Sequence, residues 1–129
     1  MENDQIIFSH LKNLFNEKTG ELNYKISDIN VKDDGGFTIL HYSSLYNKID
    51  DVKRILKLGA DINVKNNPGW TPLHMSTIHG YKRMTKLLLE FGADPYIKNI
   101  QGETPIDLYE NKEEILNYIR LVKLKNLYC

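Results

Sequence analysis

An all-α fold, built by stacking copies of one small helical unit, is what this sequence predicts, and three observations predict it. The string Thr71-Pro72-Leu73-His74 has counterparts 33 residues to either side, at Thr38-Ile39-Leu40-His41 and Thr104-Pro105-Ile106-Asp107. Gly36, Gly69 and Gly102 keep that spacing, as do the Gly-Ala-Asp triplets beginning at Gly59 and Gly92 and the Asp-Ile-Asn-Val-Lys strings beginning at Asp28 and Asp61. Between these markers lie runs such as Met84, Leu87 and Leu88, with apolar residues at helical spacing. Self-similarity at such a period means a stacked array, because one unit of this size cannot bury its own apolar face.

The order of signals inside residues 66–98 gives the unit its parts. Thr71 is a good N-cap, since its hydroxyl can accept a free amide of the first turn, and Pro72 brings the φ of a first helical residue. Gly80 permits a left-handed residue only nine positions later, so this first helix has about two turns. A second helix follows over Met84, Leu87 and Leu88, with Leu89 and Phe91 flanking, and Gly92 closes it. Neither helix would persist alone in water, so packing between them supplies the stability.

These motifs resemble the ankyrin repeat, whose signature is a Gly-Thr-Pro-Leu-His opening and a Leu-Leu-Leu, Gly-Ala-Asp close; the match runs from about Asp28 to about Leu108. The resemblance implies an ankyrin-repeat solenoid of antiparallel helix pairs with projecting β-hairpin or turn fingers. Fingers and first helices would together form a concave binding face.

Taken in order, residues 1–32 read as a degenerate N-terminal capping repeat. Its amphipathic helix over Asp4 to Asn16 gathers Ile7, Phe8, Leu11, Leu14 and Phe15 on one side, Thr19-Gly20 breaks it, and Leu22, Tyr24 and Ile26 form a poorly specified second element. Residues 33–65 form the first clear repeat, with helices over Ile39 to Tyr46 and Asp50 to Leu58 and with Val52, Ile55 and Leu56 facing inward. Here Ile39 stands in place of the usual Pro, and Asn47 in place of the inter-helix Gly, which is tolerable because Asn also visits the left-handed region. In residues 66–98, Pro68 is awkward at the third place of a type I turn, so Pro68-Gly69 is expected at the middle of a type II turn from Asn67 to Trp70, placing Trp70 on the finger tip or its flank. Residues 99–129 form a C-terminal capping repeat. Asp107 replaces the His, the turn near Asn111 to Glu113 must differ, and a longer helix runs from Glu113 to about Asn126. The acids Glu113 and Glu114 and the bases Lys123 and Lys125 suit its macrodipole. Ile115, Leu116, Ile119 and Val122 would close the stack, leaving Tyr118, Leu121, Leu124 and Tyr128 over. That surplus is expected to be a wrapped or frayed terminus, a second contact surface or a cut from a longer protein.

At 129 residues, with 41% hydrophobic and 26% charged residues, the composition is that of one ordinary globular domain. Lys plus Arg equals Asp plus Glu at 17 each, so nothing overall favours nucleic acid or an anionic membrane. No apolar run approaches the roughly 20 residues that span a bilayer, the amino terminus is acidic, and the single Cys129 can form no internal disulfide; a cytoplasmic or nuclear setting is expected.

No Gly-rich phosphate loop, no Gly-x-Ser-x-Gly and no Cys-x-x-Cys occurs, so neither catalysis nor a cofactor is expected. His41 and His74 have no Cys or Glu at ligand spacing, and the resemblance gives them a structural job with Thr38 and Thr71; Thr104, Pro105, Pro72, Gly80 and Gly92 complete that framework. His10 and His79 are isolated; His79, at the end of a first helix, is either a partner contact or a solvated residue. Asp61 and Asp94 follow Gly-Ala in loops and read as structural turn residues. Asn63 resembles the asparagine that ankyrin-directed hydroxylases modify, although a structural turn is its usual role.

The binding signal lies where large residues appear at places the fold does not need them. The resemblance implies that the residue before each Thr and the last residues of each first helix face the groove. These are Phe37, Trp70 and Glu103 at the first place, and Leu45-Tyr46, Ile78-His79 and Asn111-Lys112 at the second, with Ile100 on the next finger. Aromatic residues dominate interface energies, so the expected partner is another protein, with Trp70 the leading contact. Phe37 and Ile78 could instead pack on neighbouring repeats. The expected molecule is a monomeric adaptor or regulator; the alternatives are a regulatory segment of a larger enzyme and a structural protein self-associating through its C-terminal helix.

Overall fold

The computed structural model describes residues 29–128. The helix expected over Asp4 to Asn16, the break at Thr19-Gly20, the element around Leu22, Tyr24 and Ile26, His10, Cys129 and the side chain of Tyr128 lie outside the described residues.

Among the described residues six helices follow in order: α1 (Ile39–Leu45), α2 (Ile49–Lys57), α3 (Pro72–Ile78), α4 (Lys82–Glu90), α5 (Pro105–Leu108) and α6 (Lys112–Tyr128). They form three pairs, α1 with α2, α3 with α4 and α5 with α6. The first helices pack in a row, α1 on α3 on α5, and α4 also meets α6. This is the expected all-helical repeat solenoid, with no strand among the described residues.

Each first helix starts where its Thr predicts. Thr38, Thr71 and Thr104 are extended N-caps whose hydroxyls accept the N3 amides of His41, His74 and Asp107, and each N3 side chain returns a bond to the cap's own N–H. That reciprocal pair satisfies two otherwise orphaned donors per helix. Asn47, Gly80 and Gly92 all have positive φ (58°, 68° and 96°), so Asn47 does substitute for the inter-helix glycine. Between the helices lies a continuous core in which Val52, Ile55, Met84, Leu88 and Ile115 are fully buried.

The three fingers share one geometry. Asp33, Asn66 and Asn99 each donate a backbone N–H to the carbonyl four residues on (Phe37, Trp70, Glu103; 2.9–3.0 Å), while Gly36, Gly69 and Gly102 close the turn on the same residues' carbonyls at 2.9–3.0 Å. The expected turn from Asn67 to Trp70 is therefore displaced by one residue: it runs from Asn66 to Gly69, with Pro68 at its third place. The reason is the register set by Asn66, whose Oδ1 also accepts from the Trp70 amide at 2.8 Å. In the other fingers the equivalent side chain takes a second amide, from Gly35 or Gln101. Pro68 has no N–H, so the second finger forgoes that bond. Adjacent fingers are joined edge to edge, Asn67 N–H to Gly35 O (2.9 Å) and Ile100 N–H to Pro68 O (3.0 Å).

The last unit departs from its fellows. Its first helix has four residues, where α1 and α3 have seven, because Tyr109 is extended (φ −82°, ψ 130°). Asn111 then caps α6, its Oδ1 accepting from Glu114 N–H at 3.1 Å. The expectation that Asn111 and Lys112 end a first helix is thus corrected: Asn111 caps the second helix and Lys112 is its first residue, one before the expected Glu113.

The second unit holds a buried rung that the first lacks. Ser76 Oγ and Thr85 Oγ1 lie 3.0 Å apart between α3 and α4. One period earlier the same places carry Ser43 and Val52, and the Ser43 hydroxyl is buried without a partner. Val52→Thr is expected to supply it. Instead of the usual loss on burying a hydroxyl, urea unfolding should show a stability unchanged or raised by up to about 1 kcal/mol.

Candidate partner-binding face

The stack's polar spine runs beneath this face and sets its shape. His41 Nδ1 lies 3.0 Å from both the N–H and the hydroxyl of Thr38, and its Nε2 lies 2.8 Å from the Trp70 carbonyl. His74 repeats this with Thr71 (3.0 and 2.8 Å) and with the Glu103 carbonyl at 2.9 Å. A carbonyl only accepts and an amide N–H only donates, so both rings are neutral with the proton on Nε2. Burial drives the His41 pKa down to about 4 and lowers that of His74. Each imidazole thereby pins the finger of the next unit over the helix start of its own. Asp107, exposed and lowered in pKa by its bonds to Thr104, keeps the cap but reaches no further finger.

A second row of side chains does similar work at the loops entering the second and third fingers. Asn30 Oδ1 accepts from Asp61 N–H (2.9 Å) and Asn63 Oδ1 from Asp94 N–H (2.8 Å). Asp61 and Asp94 each fold back onto an amide two residues on, at Asn63 and Tyr96. Both carboxylates are turn residues, and the Asn63 carboxamide has a structural bond. Sequence reasoning left the Asn30 and Asn63 bridges unnoticed, although the duplicated Asp-Ile-Asn-Val-Lys string signalled them.

The candidate contacts divide by exposure. Tyr46 (40% exposed), Ile78 (47%) and Ile100 (77%) stand out from the stack, as does His79, whose ring stacks on Tyr81 at 5.4 Å. Trp70 is half-buried on the finger flank, its ring tilted against His74 at 5.6 Å. Leu45 is half-buried, and so is Glu103, which accepts from Asn99 Nδ2 at 3.3 Å within its own finger. Phe37 is also half-buried, stacked on Tyr42 at 5.2 Å and edge-on to His41 at 5.6 Å. Tyr42 is itself buried and gives its hydroxyl to Asp33, with its pKa pushed up by burial and by that carboxylate. The other fingers have no such pair, since Asn66 and Asn99 replace the acid and Met75 and Leu108 replace the tyrosine.

No cluster of three or more His, Cys, Asp or Glu residues able to hold a metal occurs among the described residues. Nor is any of their helices long and apolar enough to cross a membrane.

Compared with known families, residues 26–76 match a model described as ankyrin repeats (many copies) and residues 68–100 match one described as ankyrin repeat, so the two together cover more than half of the chain. No curated protein matches.

Proposed function

Since the chain belongs to the ankyrin-repeat family, whose members are general protein-interaction modules, we propose that it is an adaptor or regulator gripping one partner protein across its fingers and the ends of its first helices. One observation carries this reading. Tyr46, Ile78 and Ile100 remain exposed at places where the repeat needs no apolar side chain, beside a half-buried Trp70. Large rigid side chains that are left partly open gain most when a partner completes their burial. Phe37 and Glu103 contribute less, because each is already committed within its own finger or helix start.

Trp70→Ala is expected to weaken partner binding by more than about 1 kcal/mol. Only the ring is lost, while the backbone carbonyl that holds His41 stays in place, so helicity by circular dichroism should be retained. Quantitative affinity purification with wild type beside the Trp70 variant checks this: equal recovery of every partner removes Trp70 from the face. Double replacement of Tyr46 and Ile78 by serine with unchanged recovery would sink the face altogether.

A further inference from the structure

Among the described residues, a run of exposed leucines that the finger face does not use lies on α6. Its inner side is spent on the stack: Ile115 and Ile119 are buried, and Leu116, Tyr118 and Val122 pack against the core. On the opposite side Leu121 (60% exposed), Leu124 (50%) and Leu127 (78%) follow one another at three-residue steps. The bases Arg120, Lys123 and Lys125 are all exposed around them, and no acid follows Glu114 in the chain. With Leu121 and Leu124 on the seam of a paired helix, Arg120 and Lys125 fall on its two borders, the places whose charges select a partner helix.

We propose that this outer side of α6 docks a second protein's acidic amphipathic helix, leucine-lined at its seam and bordered by Asp or Glu. A second copy of this chain is the poorer occupant. Antiparallel pairing about Leu124 sets Lys123 opposite Lys125 of the other copy, and parallel pairing sets Arg120 beside Lys125 of the other copy, so both gather like charges around the seam. A lipid surface fits less well too. The stripe is one side chain wide and extends over only two turns, and between Leu121 and Leu127 it has no Trp or Phe to sit at the headgroup level.

The test uses a synthetic helical peptide of about three heptads, with leucine at a and d and glutamate at e and g, beside a twin with lysine at e and g. In fluorescence anisotropy at low salt the acidic peptide should bind, with the basic twin weaker by about tenfold or more. Leu124→Ser should bring the acidic peptide down to the level of its twin. Joint replacement of Arg120, Lys123 and Lys125 by glutamate should reverse the preference. These side chains are exposed, and circular dichroism reports whether each variant keeps its helices. Equal binding of both peptides, or of neither, overturns the proposal. So do stronger capture by phosphatidylcholine vesicles containing phosphatidylserine, and a dimer in sedimentation that Leu124→Ser dissolves. Trp70→Ala should leave peptide binding unchanged, so this surface and the finger face fail or succeed separately.

Discussion

Lowering the pH from 6.5 to 4 is expected to remove about 3 kcal/mol of stability through His41 alone. The folded pKa of His41 is near 4, against 6.5 for an unperturbed imidazole. Between those values the unfolded chain binds a proton that the folded chain refuses, so stability is fully present above about pH 6.5 and is lost as the pH falls towards 4. His74 is shifted the same way by the same burial and adds to the loss. The structural cause is plain: protonating Nδ1 would set a new N–H against the Thr38 amide, a donor facing a donor. Urea unfolding at pH 7 and pH 4.5 checks this. A midpoint that barely moves would mean that the imidazoles are not locked as described. Asp107 is an exposed carboxylate with a lowered pKa, so its own contribution fades only below the ordinary carboxylate range.

Gly36→Ala is expected to be the most damaging of the finger substitutions, at several kcal/mol, while Gly102→Ala costs only about 1 kcal/mol. Both residues have the same left-handed backbone, with φ 79° and 77°. Any Cβ is strained there. The difference lies in what that Cβ would meet. At Gly36 it would stand 2.6 Å from Asn67 Oδ1 and 2.7 Å from the Asn67 amide nitrogen, while at Gly102 it would face open space. Because the Asn67 amide is bonded to Gly35 O, the neighbouring finger cannot give way without losing its junction. Gly69 is intermediate, its Cβ falling 3.0 Å from the Asn99 backbone. Thermal melting of the three alanine variants should rank them in that order, and equal melting points for Gly36→Ala and Gly102→Ala would contradict the edge-to-edge packing of the fingers.

This contrast marks where reading the sequence stops. The three glycines are identical in spacing, and the need for a positive φ follows from that motif, but the space beside each depends on whether another finger follows. Helix starts were legible because Thr, Pro and the N3 His act within one turn of the chain. Asn47 was legible for the same local reason. The turn at Pro68 was not legible, because its register is held by the Asn66 side chain, which bonds the Trp70 amide beyond the turn and overrides the local preference of Pro68. Asn111 was placed at a helix end by strict periodicity, whereas the last unit shortens its first helix and uses that residue as a cap. For the binding face, sequence position named candidates, but exposure separates Ile100 and Ile78 from Phe37, which is held by the buried rings of Tyr42 and His41 beside it.

The histidine bridges give the array a polarity. The imidazoles of His41 and His74 each bond a carbonyl supplied by the unit after them, whereas the carboxylate of Asp107 bonds only within its own unit, to Thr104 and Lys112. A unit inserted inside the stack would therefore keep both bridges, whereas one added at the far end would gain none from Asp107. An extra copy of residues 66–98 spliced in at Asn99 would offer a backbone acceptor to the ring before it and find one in Glu103 for its own, whereas a copy appended after α6 would meet a unit with no ring to receive it.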